Sequence, residues 1–237
     1  NFNSQVARGS ILDAYCRALE QEINRLPALY EAHRVGIHLL SLPVDSLYIG
    51  GGTPLLLGAE RLERILQASR RRFDLDAVAE FTLEVTPGSA DDDLLARARA
   101  LGVNRLSIGA QTFVDRELRA VGRLHSAGDT RDLVVRARRA GFTNISLDLI
   151  AGLPYQTEDS WRESLRTVGE LRPAHVSVYL LEIDEKSRLG GEVLRHGTRY
   201  HASAVPHEDF MAAAYETARE FLKQQSYAQY EISNFAL

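Results

Sequence analysis

Along the chain, short β-rich runs that end in Gly, Thr or Pro alternate with longer stretches whose apolar residues recur at helical spacing. That alternation is the sequence sign of repeated βα units around a parallel sheet. After a first helix near 10–26, the pattern predicts strands at 46–49, 81–85, 105–108, 145–150 and 176–181. Helices near 59–72, 91–100, 115–121 with 129–140, and 158–170 fill the intervals. Five strands with right-handed helical crossovers curve into part of a (β/α) barrel, so the expected fold class is α/β. The chain opens with a helix, and the strand before it is expected upstream of Asn1.

Residues 145–150 are almost continuously apolar, as in a strand covered on both faces, yet Asp148 stands in their interior. A carboxylate there needs a reason. Thr157, Asp159 and Ser160 offer N-cap oxygens before Trp161, and Asp91, Asp92 and Asp93 put negative charge where a helix dipole favours it. From 182 to 207 the pattern breaks down into Gly, Arg and His without clear periodicity, which reads as a connection out of the barrel. A helix resumes at 208–225 and a strand is expected at 229–232. The expected organisation is therefore a barrel over 1–182, then a connection and the start of a C-terminal α/β extension over 183–237.

Composition narrows the function classes. The 237 residues carry 28 Lys and Arg against 32 Asp and Glu, a net charge of −4 that gives no bulk attraction to nucleic acid or anionic lipid. Cys16 is the one cysteine, which excludes an internal disulfide and any zinc or iron–sulfur site built from several thiolates of these residues. No apolar run reaches the roughly 18–20 residues that span a bilayer, and the start has no basic-then-apolar signal, so a cytoplasmic location is expected.

The candidate chemistry gathers at the strand ends. Gly50-Gly51-Gly52-Thr53-Pro54 directly follows a strand, and three glycines let backbone approach a ligand too closely for any Cβ. The same run also serves as a tight strand-to-helix turn. In barrels and open α/β sheets, ligands sit beyond the carboxyl ends of the strands. Glu84 ends the second strand, Gln111 follows the third, Asp148 lies in the fourth, and Arg123 falls in the helix-rich segment between. Singly, Glu84 could cap the turn at Thr86-Pro87, Gln111 could satisfy loop backbone, Arg123 could be a solvated surface group, and Asp148 could bond a neighbouring Ser or Arg. Together they suit a ligand with a carboxylate, an ammonium and a ribose diol.

Five segments carry a resemblance: Gly50-Gly51-Gly52-Thr53-Pro54, Leu83-Glu84-Val85-Thr86-Pro87, the run from Arg105 through Gln111 to Phe113, Gly122-Arg123-Leu124-His125, and the run from Leu147-Asp148 through Pro154 to Thr157. In this order they resemble the radical S-adenosylmethionine (SAM) proteins of the oxygen-independent coproporphyrinogen III oxidase group, across nearly the whole chain. The opening Asn1-Phe2-Asn3-Ser4 is similar to the heme chaperone branch, HemW, and so is Tyr230-Glu231-Ile232-Ser233-Asn234-Phe235-Ala236. The family's Cys-x-x-x-Cys-x-x-Cys loop is absent from the chain, and Cys16 cannot stand in for it: it lies in a helical pattern where a buried structural thiol is the expected reading.

The resemblance implies a 4Fe-4S cluster held by cysteines upstream of Asn1, with SAM bound beside it. By motif position, Gly51, Gly52 and Thr53 would contact the methionine moiety, Arg123 its carboxylate, and Glu84, Gln111 and Asp148 the amino and ribose groups. It implies heme and a hemoprotein acceptor as partners, or, in the oxidase branch, oxidative decarboxylation of coproporphyrinogen III. His125, His175, His196, His201 and His207 show no metal-ligand spacing; His196 and His201 could reach heme, although a solvated loop is the default. Met211, Phe210, Tyr215 and Phe221 fall at helical spacing and read as core, and Arg70-Arg71-Arg72 as the basic end of a helix.

Overall fold

The computed structural model describes residues 9–33, 42–75 and 78–237. The resemblance at Asn1-Phe2-Asn3-Ser4 lies outside them. The chain divides into two compact units, one within residues 2–84 and 91–105, the other of residues 85–90 and 106–237.

The first unit contains helix α1 (Gly9–Ala32), strand β1 (Ser46–Ile49), helix α2 (Gly58–Arg72), strand β2 (Glu80–Val85, whose last residue belongs to the second unit) and helix α3 (Asp92–Ala100). β1 and β2 pair in parallel, with Tyr48 opposite Thr82 and Ile49 opposite Leu83. Apolar positions of α1 meet α2 around Cys16, Leu57, Leu62 and Ile65, with Leu12, Leu19 and Ile23 packed against them. Cys16 is fully buried, and that burial pushes its thiol pKa up, as expected of an inert structural thiol. Two ion pairs of 2.7 Å, Arg61 to Asp13 and Arg64 to Glu20, join the same helices. α1 runs past the expected end near 26 because Pro27 removes only one intrahelical N–H and the turns on either side continue. Arg70, Arg71 and Arg72 occupy the last turn of α2, and the Asp91 side chain caps α3 by accepting from the Leu94 amide.

The second unit holds strand β3 (Arg105–Gln111, whose first residue belongs to the first unit), helices α4 (Asp115–Ala120) and α5 (Ala127–Arg139), strand β4 (Asn144–Ala151), helix α6 (Glu158–Leu171) and strand β5 (His175–Leu180). Its later elements are helices α7 (Arg188–Leu194) and α8 (Glu208–Gln224) and strands β6 (Ala228–Gln229) and β7 (Asn234–Ala236). The strand order is β3-β4-β5-β7-β6. β4 and β5 are parallel, and β7 runs antiparallel to both β5 and β6. Capping boxes start α5 at Ser126 and Asp129, and α6 at Thr157 and Ser160. Buried Trp161 ties α6 to α8, its indole N–H donating to the Ala214 carbonyl at 2.7 Å. Met211 is buried, whereas Phe210, Tyr215 and Phe221 are half-buried.

Two expectations are corrected. The segment 182–207 contains α7 and a 3-10 turn at Arg199–Ala204. Gly190 and Gly191 hid α7 from the pattern; a Cβ on Gly190 would meet the Asp184 carbonyl, so the close approach demands glycine. The strand expected at 229–232 ends at Gln229, because Glu231 accepts from the Ser233 amide at 2.9 Å and from Asn234 Nδ2 at 2.8 Å and so turns the chain into β7.

Candidate ligand site

In the first unit, the glycine turn after β1 is organised by the carboxylate at the end of β2. Glu84 Oε1 accepts from the Tyr48 hydroxyl at 2.7 Å and Oε2 from the Gly51 amide at 2.8 Å. Glu84 thus holds Gly51 rather than capping the turn at Thr86-Pro87. A Cβ on Gly50 would collide with the Tyr48 ring and stand 2.7 Å from Glu84. Gly51 and Gly52 have φ of +88° and +71°, and space opens beside both of them. Thr53 follows, half-buried, ahead of a 3-10 turn at Pro54–Leu57. Beside the turn lies a cavity of about 340 Å³, lined by Leu12, Leu19, Tyr48, Gly50, Gly51 and Leu57 among others. Gly51, Gly52, Thr53 and Glu84 therefore come together in one cradle. Tyr48 was not anticipated; its position two residues before the glycine run was the available signal.

In the second unit, β3 ends in a strained turn. Gln111 is buried with φ +66°, a left-handed conformation that costs a side-chain-bearing residue about a kcal/mol or more. A buried network pins the chain just after it. Thr112 Oγ1 donates to Glu117 Oε2 at 2.6 Å, Phe113 N–H donates to Ser164 Oγ at 3.0 Å, and Gln156 Nε2 reaches Glu117 Oε2 at 3.3 Å. Gln156 also accepts from the Gly152 amide and donates to the Ile150 carbonyl, so the ends of β3 and β4 share one set of polar contacts. Asp148 is half-buried in β4 and accepts from Ser107 Oγ at 3.3 Å, so it does bond a neighbouring serine.

Arg123 follows the left-handed Gly122 in the segment between α4 and α5. Its side chain is exposed, yet enough protein surrounds the guanidinium for desolvation to lower its pKa, and among the described residues no carboxylate offsets that cost. A desolvated guanidinium without a counter-ion is suited to an incoming carboxylate. His125 is buried, while His196, His201 and His207 are exposed. His201 Nδ1 lies 2.9 Å from the Tyr155 hydroxyl, and Arg116 stacks 3.9 Å over the Tyr155 ring. His175 bridges Ser146 and Tyr230 at 2.8 Å each, a structural link at the start of β5.

Residues 15–168 match the model of the radical SAM superfamily. The heme chaperone HemW of Lactococcus lactis is 34% identical over the whole chain, which covers 58% of that protein. Radical S-adenosyl methionine domain-containing protein 1, mitochondrial, of Bos taurus is 35% identical, again over the whole chain and 50% of the relative. The chain thus spans about half the length of the curated relatives it matches. The structure of coproporphyrinogen III oxidase (HemN) from Escherichia coli, a radical SAM enzyme, superposes on all of the chain and 51% of its own, with a TM-score of 0.83 and 31% identity. The α/β architecture is accordingly the partial barrel seen in that enzyme, and the chain belongs to the radical SAM superfamily.

Proposed function

We propose that this chain is the SAM-binding part of a heme chaperone, a cytoplasmic protein that binds heme and delivers it to hemoproteins. The observation that carries this reading is the match, over the whole chain, to a protein named as a heme chaperone. The sequence from Tyr230 to Ala236 supports the same branch. Residues 1–182 form the barrel part of this assignment, and 183–237 the connection and the start of a further domain.

In this reading the residues present supply, in each unit, groups of the kinds that SAM binds. Gly51 and Gly52 leave open space where side chains would stand, Thr53 follows them, and Glu84 accepts from the Gly51 amide; these residues take the methionine moiety and an amino or hydroxyl donor. Arg123 takes the carboxylate, and Gln111 and Asp148 accept from amino and ribose groups. A 4Fe-4S cluster does not fit: Cys16 is the chain's one thiol and is buried in α1, and no group of three or more His, Cys, Asp or Glu among the described residues could hold a metal ion. Its ligands belong, in this reading, to sequence upstream of Asn1. For heme, the exposed His201 imidazole offers a nitrogen to porphyrin iron while Tyr155 orients the ring. No helix of the described residues is long and apolar enough to cross a membrane.

The likeness to coproporphyrinogen III oxidase supports a second reading, oxidative decarboxylation of coproporphyrinogen III. The two separate in one experiment on a protein carrying the three-cysteine loop ahead of Asn1. Heme binding in an optical titration, without product from coproporphyrinogen III under anaerobic, SAM-supplied conditions, is the expected result. Sustained decarboxylation would establish the second reading instead.

A further inference from the structure

Between α4 and α5 the chain puts its apolar side chain outside and its imidazole inside. Leu124 is 103% exposed, whereas His125 is 7% exposed. Arg123 and Leu124 are both exposed, and at the bend of His125 the chain turns its ring inward. The segment is fastened at both ends: the Arg123 amide donates to the Leu118 carbonyl at 3.0 Å, and the Ala127 amide to Asp115 at 2.8 Å. Both ring nitrogens of His125 are buried, and neither has a partner at hydrogen-bonding geometry. Leaving a buried polar group unpaired costs about 1–3 kcal/mol, so an imidazole kept in this state calls for a use.

Its surroundings indicate the use. The backbone of Ala110, one residue before the strained Gln111, acts on the ring as a hydrogen-bond acceptor, though beyond good geometry. The charge of Arg123 acts on it with the opposite sign, lowering its pKa. We propose that His125 is a positioning residue of the ligand site: it couples the Arg123 guanidinium to the Gln111 turn and closes a hydrogen bond to the Ala110 carbonyl when the ligand is bound. The inference rests on the assignment of Arg123 and Gln111 to SAM made above.

The charge state follows from what faces the ring. Burial lowers the imidazole pKa most, Arg123 lowers it further, and the Ala110 backbone and the carboxylates of Asp129 and Asp115 raise it by less. His125 is therefore neutral at neutral pH, where it does not repel the neighbouring guanidinium. Protonation in acid places two cations side by side and loosens Arg123.

The test uses S-adenosylhomocysteine, which presents the carboxylate, ammonium and ribose without the sulfonium methyl. Calorimetry on the chain compares wild type, His125→Gln, which keeps an amide donor without titrating, and His125→Leu. The Leu variant is expected to bind about tenfold more weakly, and the Gln variant within about threefold of wild type. Wild-type affinity falls in acid as His125 protonates, and the Gln variant shows no such fall. Binding by the Leu variant at wild-type strength, or the same acid loss in the Gln variant, overturns the inference and leaves the SAM assignment standing. No binding by wild type overturns both. In the ligand-free chain, the imidazole carbon signal that disappears in His125→Gln titrates at a lower pH than a free imidazole. Titration at or above the pH of a free imidazole overturns the inference whatever the calorimetry shows.

Discussion

Gly51 and Glu84 are joined by a 2.8 Å hydrogen bond from the backbone amide of one to the carboxylate of the other, which fixes the glycine turn of β1 to the end of β2. Tyr48 occupies the second oxygen of Glu84 at 2.7 Å, so the carboxylate is oriented before any ligand arrives. A methyl group at position 50 would fall 2.7 Å from that carboxylate. Gly50→Ala is expected to displace Glu84 and destabilise the fold by about 1–3 kcal/mol. Tyr48→Phe, which removes one hydrogen bond, costs about 0.5–1.5 kcal/mol. Urea denaturation measures both, and equal stability of Gly50→Ala and wild type would show that the turn does not depend on this contact.

Gln111 trades stability for its position. Its φ of +66° suits glycine, so Gln111→Gly is expected to leave stability unchanged or raise it by up to about 1 kcal/mol, despite the loss of a buried side chain. The same substitution removes the amide assigned to the ligand and weakens nucleoside binding. Thermal unfolding read beside calorimetry checks the pair of effects, and a variant that loses stability while keeping affinity would reverse the account of this residue.

Glu117 is the hub behind that turn, fully buried and bonded to Thr112 and Gln156. Glu117→Ala leaves both partners without their acceptor and is expected to cost about 1–3 kcal/mol. Glu117→Gln retains one carbonyl acceptor and costs less. Denaturant melts rank the two, and an Ala variant as stable as the Gln variant would show that the network contributes nothing.

Much of this arrangement was legible in the sequence, for identifiable reasons. Strand 145–150 was visible because both faces are covered, and the structure extends it by one residue at each end. The starts of α3 and α6 were visible because Asp91 and Thr157 are capping residues by chemistry. Motif order grouped Gly51, Gly52, Thr53, Glu84, Gln111, Arg123 and Asp148, and of these the structure bonds Glu84 to the Gly51 amide. Less legible were α7, whose paired glycines suppress the helical pattern, and the turn into β7, which depends on Glu231 folding back onto its own neighbours. Tyr48, Glu117 and Gln156 escaped notice because their roles arise from contacts between residues about 36 to 39 apart in the chain, and periodicity carries no record of those.

Tyr227 gives the fold an alkaline limit. Its hydroxyl donates to the Pro173 carbonyl at 2.6 Å, and burial pushes its pKa up from 10.0 to about 12. Between those values the folded chain keeps a proton that the unfolded chain releases, so stability is full below pH 10.0 and declines as the pH rises toward 12. Tyr227→Phe loses the hydrogen bond at neutral pH but also this part of the alkaline decline. Denaturation midpoints taken across that range check the slope, and equal slopes in the two proteins would assign it elsewhere.

The proposal most directly open to test is that Arg123, exposed but with its pKa lowered by desolvation, takes the carboxylate of SAM. Calorimetry of S-adenosylhomocysteine with wild type and Arg123→Ala tests it most directly, circular dichroism confirming that both are folded. The account predicts saturable binding by wild type and a loss of about 1.5–3 kcal/mol in the variant, roughly ten- to a hundredfold in affinity. Equal affinity in the two proteins would contradict it.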